Sequence, residues 1–162
     1  MIGLARRKYR NPVPALLAGW LVALPNASSA QEGRHTIMPD DAAALEFQTA
    51  VGFSDAVIVD GMIYLSGVVA VPQEGETTMA PAFTRAFDRL AITLARAGAG
   101  WEDVVEFNTF HMDLGGQLDE FVEVKNRYIK APFPAWTALG ISSHYEPAGL
   151  VEIKITAKKP PE

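Results

Sequence analysis

The clearest pattern in the chain is a pair of β-rich runs, Ala56-Val57-Ile58-Val59 and Met62-Ile63-Tyr64-Leu65-Ser66-Gly67-Val68-Val69, separated by Asp60-Gly61. An Asp-Gly link tolerates the positive φ that a tight turn requires, so the two runs predict a β-hairpin. Polar Pro72 to Glu76 ends its second strand. From Thr78 to Ala97 the period changes, with Phe83, Phe87, Leu90 and Leu94 spaced four, three and four residues apart. That single stripe predicts an amphipathic helix lying on a sheet. Thr77 or Thr78 can cap its start, and Gly98 with Gly100 supplies the stop.

Asp103 to Met112, rich in Val and Phe, reads as a buried strand. Leu118, Phe121, Val122, Lys125 and Tyr128 then recur at helical intervals across Gln117 to Ile129, until Pro132 and Pro134 end the helix. Ala135 to Ser142 and Leu150 to Lys158 are two further strands. In the last, Val151, Ile153, Ile155 and Ala157 alternate with Glu152, Lys154 and Thr156, the mark of a strand with one buried face. Residues 31–52 predict only a short strand near His35 to Met38 and then a loop. The result is a single α+β domain with two helices on one face of a four- to six-stranded sheet. Because apolar residues recur on both faces of several strands, the uncovered face is expected to be buried between subunits, with ligand clefts at their boundaries.

A chain of 162 residues, 49% of them hydrophobic and 20% charged, suits one globular core. The first 30 residues differ in texture: Arg6, Arg7, Lys8 and Arg10 precede an apolar run from Pro14 to Leu24 and the small residues Ala27-Ser28-Ser29-Ala30. This is the layout of a secretory signal peptide. The run is about half of the roughly 20 residues that span a bilayer. Cleavage after Ala30 is therefore expected, leaving a periplasmic or secreted domain over 31–162 with no membrane association; the alternative is a mis-called start codon or a disordered basic tail. That domain keeps 10 basic and 19 acidic side chains, a formal charge of −9. Such acidity repels phosphate backbones, so nucleic acid is not an expected partner. The absence of cysteine excludes disulfides, thiolate metal sites and cysteine nucleophiles. His35, His111 and His144 show no metal-ligand spacing, and neither metal nor cofactor is expected.

Several blocks in a fixed order carry a resemblance. Ser66-Gly67 at the end of a hairpin strand is followed by Ala97-Gly98-Ala99-Gly100-Trp101-Glu102-Asp103-Val104-Val105, then Asp113-Leu114, Phe121, Tyr128, Phe133-Pro134-Ala135 and Val151-Glu152-Ile153. Over roughly residues 45–158 the chain resembles the Rid/YjgF proteins, also labelled L-PSP endoribonucleases. The resemblance implies a chorismate-mutase-like fold of the bacillus type, a homotrimer with clefts between subunits, and, in the best-known branch, hydrolysis of reactive imines and enamines to ketoacids and ammonia.

It also implies site residues. The active branch has Pro-Ala-Arg where this chain has Pro134-Ala135-Trp136, and a guanidinium grips a carboxylate bidentately as an indole cannot. The family glutamate, proposed to activate water, matches Glu152, and Ser66 and Gly67 match the pocket-lining pair. A family asparagine aligns with Lys125, and the tyrosine of the early loop with Phe53. Each has a plainer reading: Glu152 as a solvated strand residue, Trp136 as packing, Lys125 as helix decoration, the reading favoured for it. His111 reads as a hydrogen-bonded structural histidine, and His144 as an exposed loop residue. Three functions follow: a hydrolase using Glu152 on an aromatic or neutral imine, a non-catalytic binder of a small apolar or aromatic metabolite, and a nuclease. The acidity and the lack of a metal site oppose the last.

Overall fold

The computed structural model describes residues 33–161; the leader expected over 1–30 lies outside them. The chain runs β1 (His35–Ile37), α1 (Ala42–Val51), β2 (Ala56–Val59), β3 (Met62–Leu65), β4 (Val68–Ala70), α2 (Ala80–Arg96), β5 (Val104–His111), α3 (Leu114–Tyr128), β6 (Ala135–Gly140) and β7 (Val151–Lys158). The seven strands form one sheet in the order β1-β2-β3-β7-β5-β6, with β4 also pairing β7. All pairs are antiparallel except β5 with β6.

The Asp60-Gly61 turn forms with φ of 51° and 73°, the left-handed pair that a two-residue hairpin needs. The predicted second hairpin strand is broken. β3 pairs the C-terminal half of β7 and β4 its N-terminal half, with Ser66 and Gly67 in the gap. Residues expected as a loop form α1, whose start is capped by the Asp41 carboxylate accepting from the Ala44 N–H (2.9 Å) and whose end is closed by Gly52 at φ 90°. The start of α2 has no threonine cap: Ala80 N–H donates instead to Glu120 of α3 at 2.7 Å, and Pro81 fills the first turn. α3 begins three residues before the expected Gln117, capped by Asp113.

Phe83, Phe87, Leu90 and Leu94 of α2 are all fully buried, each contributing about 1.5–3 kcal/mol. They meet Phe107 of β5 and Phe121 of α3 in an aromatic cluster, where Phe87 stacks on Tyr128 with centroids 4.8 Å apart. Tyr128 donates to the Asp88 carboxylate at 2.7 Å; burial, then that carboxylate, pushes its phenol up to about 12. Helices α2 and α3 thus cover one face, while Tyr64 and Leu139 are half-exposed on the other. No helix of the described residues is long and apolar enough to cross a membrane.

Candidate functional site

The gap between β3 and β4 is where chemistry-bearing residues meet. Ser66 closes the gap on one side, its hydroxyl donating to Ser54 O at 2.7 Å and its N–H to Asp55 O at 2.9 Å. Glu152 of β7, in register with Val69 and Phe110, lays its carboxylate against Gly67. A Cβ on Gly67 would stand 1.9 Å from Oε1 and 2.7 Å from Cδ of Glu152, so the absence of a side chain at 67 is what admits the carboxylate.

Behind the carboxylate stands a residue that the sequence reading assigned to solvent. The His144 side chain is only 1% exposed, and its Nδ1 lies 3.7 Å from Glu152 Oε2. Its place in the loop before the last strand put His144 outside; the fold of the 141–150 loop buries its side chain. Gly149 makes room for it, since a Cβ there would be 3.1 Å from His144 Cδ2 and 2.5 Å from Val69 Cγ1. Neither ring nitrogen has a hydrogen-bond partner among the described residues. At 3.7 Å the pair is too long for a hydrogen bond and suited to an ion pair when the ring is protonated. Glu152 itself is 38% exposed at its side chain, so the arrangement is an accessible carboxylate backed by a buried imidazole.

Trp136 and Lys125 belong elsewhere. In the β5–β6 register Trp136 lies beside Phe107, which in turn pairs with Ile155. Phe107 and Ile155 are buried under the helices, whereas Glu152 alternates with buried Val151 and Ile153 and so looks the other way. Within one protomer, Trp136 and Glu152 therefore sit on opposite faces of the sheet. The Trp136 indole N–H donates to Thr109 Oγ1 at 3.1 Å, and Thr109 is 3.0 Å from Nε2 of fully buried His111. Burial, opposed by a Gln117 hydrogen bond and aided by nearby His144, holds His111 below the usual histidine range.

Lys125 is not surface decoration, as its helix position had suggested. It is 9% exposed, its Nζ stands 5.0 Å from the Trp136 ring centroid, and burial lowers its pKa. The two residues help line a cavity of about 270 Å³ with Asn126, Ile129, Phe133 and Pro134. Phe53 is half-exposed, edge-on to Phe47 of α1 at 6.1 Å. It precedes Ser54, whose carbonyl accepts the Ser66 hydroxyl, so it belongs to the neighbourhood of the gap. The six residues expected in one cleft are thus divided: Ser66, Gly67, Glu152 and Phe53 about the gap, Lys125 and the half-exposed Trp136 on the helix side of the sheet. Among the described residues, no three of His, Asp and Glu gather in a way that could hold a metal ion.

Residues 43–159 match the family described as Endoribonuclease L-PSP. The RutC family protein YjgH of Escherichia coli (strain K12) is 35% identical over 114 residues, which cover 67% of this chain and 83% of that protein. Among solved structures, protein YJGH aligns with a TM-score of 0.68 at 28% identity, covering 80% of this chain and 99% of the other. Rv2704 from Mycobacterium tuberculosis, a member of the YjgF/YER057c/UK114 family, aligns with a TM-score of 0.66 at 26% identity, covering 77% and 98%.

Proposed function

The chain belongs to the Endoribonuclease L-PSP family, the YjgF/Rid group, and from that premise we propose that it is a hydrolase of imines, and of enamines through their imine tautomers, whose specificity has moved away from carboxylate-bearing substrates. The observation that carries this reading is the Glu152 carboxylate, seated against Gly67, open to solvent and backed by His144.

In the reaction the carboxylate takes a proton from water as the water oxygen bonds to the imine carbon. The C=N π pair moves to nitrogen, which takes up a proton. The resulting carbinolamine collapses to a carbonyl and releases ammonia. The His144 ring, its Nδ1 3.7 Å from Glu152 Oε2, backs the carboxylate on its buried side. Ser66 and Gly67 line the approach.

The substrate is aromatic or neutral, because Trp136 stands where the active branch carries its guanidinium. For Trp136 and Lys125 to share a cleft with Glu152, a second copy of the chain must supply one of the two groups, and the assembly proposed is the homotrimer. Half-exposed Tyr64 and Leu139 on the uncovered face support it. On the leader pattern of residues 1–30 the same reading assigns the protein to the periplasm or the medium. One geometric fact favours non-catalytic binding of an aromatic metabolite as a second reading: Glu152 and His144 stand 3.7 Å apart, beyond hydrogen-bond reach.

Ammonia release from enamines generated in situ separates the two. The parent protein is expected to act on aromatic substrates, Glu152→Gln to lose about 100-fold or more, and Trp136→Arg to gain carboxylate-bearing ones. Equal rates for parent and Glu152→Gln would leave only the binder.

A further inference from the structure

The cavity beside Trp136 and α3 contains an amine, Lys125, to which the hydrolysis proposed above assigns no bond and no proton. Lys125 shares the inward side of α3 with Phe121 and Val124, both fully buried, and lysine is rarely placed there without a counter-ion. Among the described residues it pairs with no carboxylate. Its Nζ lies over the Trp136 ring at 5.0 Å, beside a cavity of about 270 Å³ whose other walls are Phe107, Asn126, Ile129, Phe133 and Pro134. The volume suits a single-ring molecule, and the walls offer aromatic and aliphatic faces.

We propose that this cavity is a carbonyl-capture site, in which the Lys125 amine forms an imine with an apolar, preferably aromatic, aldehyde. The Nζ lone pair attacks the carbonyl carbon, the C=O π pair moves to oxygen, and a proton passes from nitrogen to that oxygen to give a carbinolamine. The nitrogen lone pair then forms the C=N bond as the hydroxyl leaves with a proton as water. One amine and one aldehyde thus become one imine and one water, with no oxidant or reductant. Two features favour the reaction here. Burial lowers the Lys125 pKa, and at neutral pH each unit of lowering multiplies the neutral, nucleophilic fraction about tenfold. The ring of the aldehyde can pack against Trp136 and Phe133 while its carbonyl meets Nζ. Within one protomer the site lies on the opposite face of the sheet from Glu152; in the trimer proposed above the two share a cleft, and the capture step itself takes no proton from that carboxylate.

The test is reductive trapping of the full chain with benzaldehyde and cyanoborohydride near neutral pH, followed by peptide mapping. Lys125 is expected to be labelled severalfold faster than exposed Lys154 and Lys158 in the same sample. The fast phase should vanish in Lys125→Met and in Lys125→Arg and persist in Glu152→Gln. Labelling of Lys125 no faster than that of Lys154 overturns the proposal, and needs no variant to fold. Loss of the fast phase in Glu152→Gln would overturn it equally, by tying the amine to the carboxylate. Because ammonia release reads Glu152 and trapping reads Lys125, either proposal can fail without the other.

Discussion

Gly67→Ala is a sharp perturbation of the gap between β3 and β4, because it adds one methyl group at a point where the structure leaves no room for it. The new Cβ would lie 1.9 Å from Oε1 and 2.7 Å from Cδ of Glu152, whereas ordinary contact begins near 3.4 Å. The carboxylate must therefore retreat by about 1.5 Å, and misplacing a reacting group by about 1 Å can cost about 100-fold in rate. Stability should hardly change. Gly67 does not have positive φ, so alanine suits its backbone and gains about 0.4–1 kcal/mol from the unfolded chain. That gain offsets the cost of turning the half-exposed Glu152 side chain to another rotamer. The assay pairs a thermal melt with ammonia release from an aromatic enamine: a melting midpoint within a few degrees of the parent, and activity down about 100-fold. Full activity at unchanged stability would mean that the carboxylate works from some other position. A collapse of several kcal/mol would mean that Glu152 cannot yield, and that Gly67 serves packing.

His144→Leu should separate stability from activity. It removes two buried nitrogens that have no hydrogen-bond partner, a relief of about 1 kcal/mol or more by urea denaturation, while ammonia release drops about 10- to 100-fold; a variant that loses stability would refute the orphaned-imidazole reading. His111 predicts a pH dependence. With its folded pKa held below the unfolded value of about 6.5, the unfolded chain binds the proton more readily, so its contribution is complete above about pH 6.5 and is lost as pH falls through the folded value. The urea midpoint should accordingly fall between pH 7.5 and 5.5, and fall less in His111→Gln; an equal fall in both would assign the acid sensitivity to other groups.

Periodicity made most of the fold legible. The α2 stripe, the alternation of β7 and the Asp60-Gly61 turn each have a pattern that local physics reads directly. α1 escaped because it does not bury an apolar stripe: Leu45, Phe47 and Val51 are exposed and Gln48 is its one buried side chain, bonded to Asp55 at 2.8 Å. Its capping signals, Asp41 and Gly52, were in the sequence all along. Gly115 and Gly116 masked the first turn of α3 in the same way. At α2 the cap belongs to Glu120, forty residues away, and no local rule finds such a partner.

The site divides by the same logic. Ser66, Gly67 and Glu152 were legible as members of ordered blocks, but the sheet face on which each block lies depends on register between strands. Alternation within β7 sets Glu152 opposite Ile155; only the pairing of Phe107 with both Trp136 and Ile155 puts the indole on the helix side. His144 gave no signal, since nothing local to a polar loop says that it folds inward. The division changes what the tryptophan means. An arginine replaced on the acid's own face would leave Glu152 facing an altered neighbour within its own chain. Here Trp136 lies across the sheet, where it joins Phe107, Thr109 and Lys125, and within one protomer the arrangement of Glu152, Gly67 and His144 owes nothing to it. Within one protomer the wall at Trp136 and the carboxylate at Glu152 are therefore separate arrangements, which only a second copy of the chain can bring together.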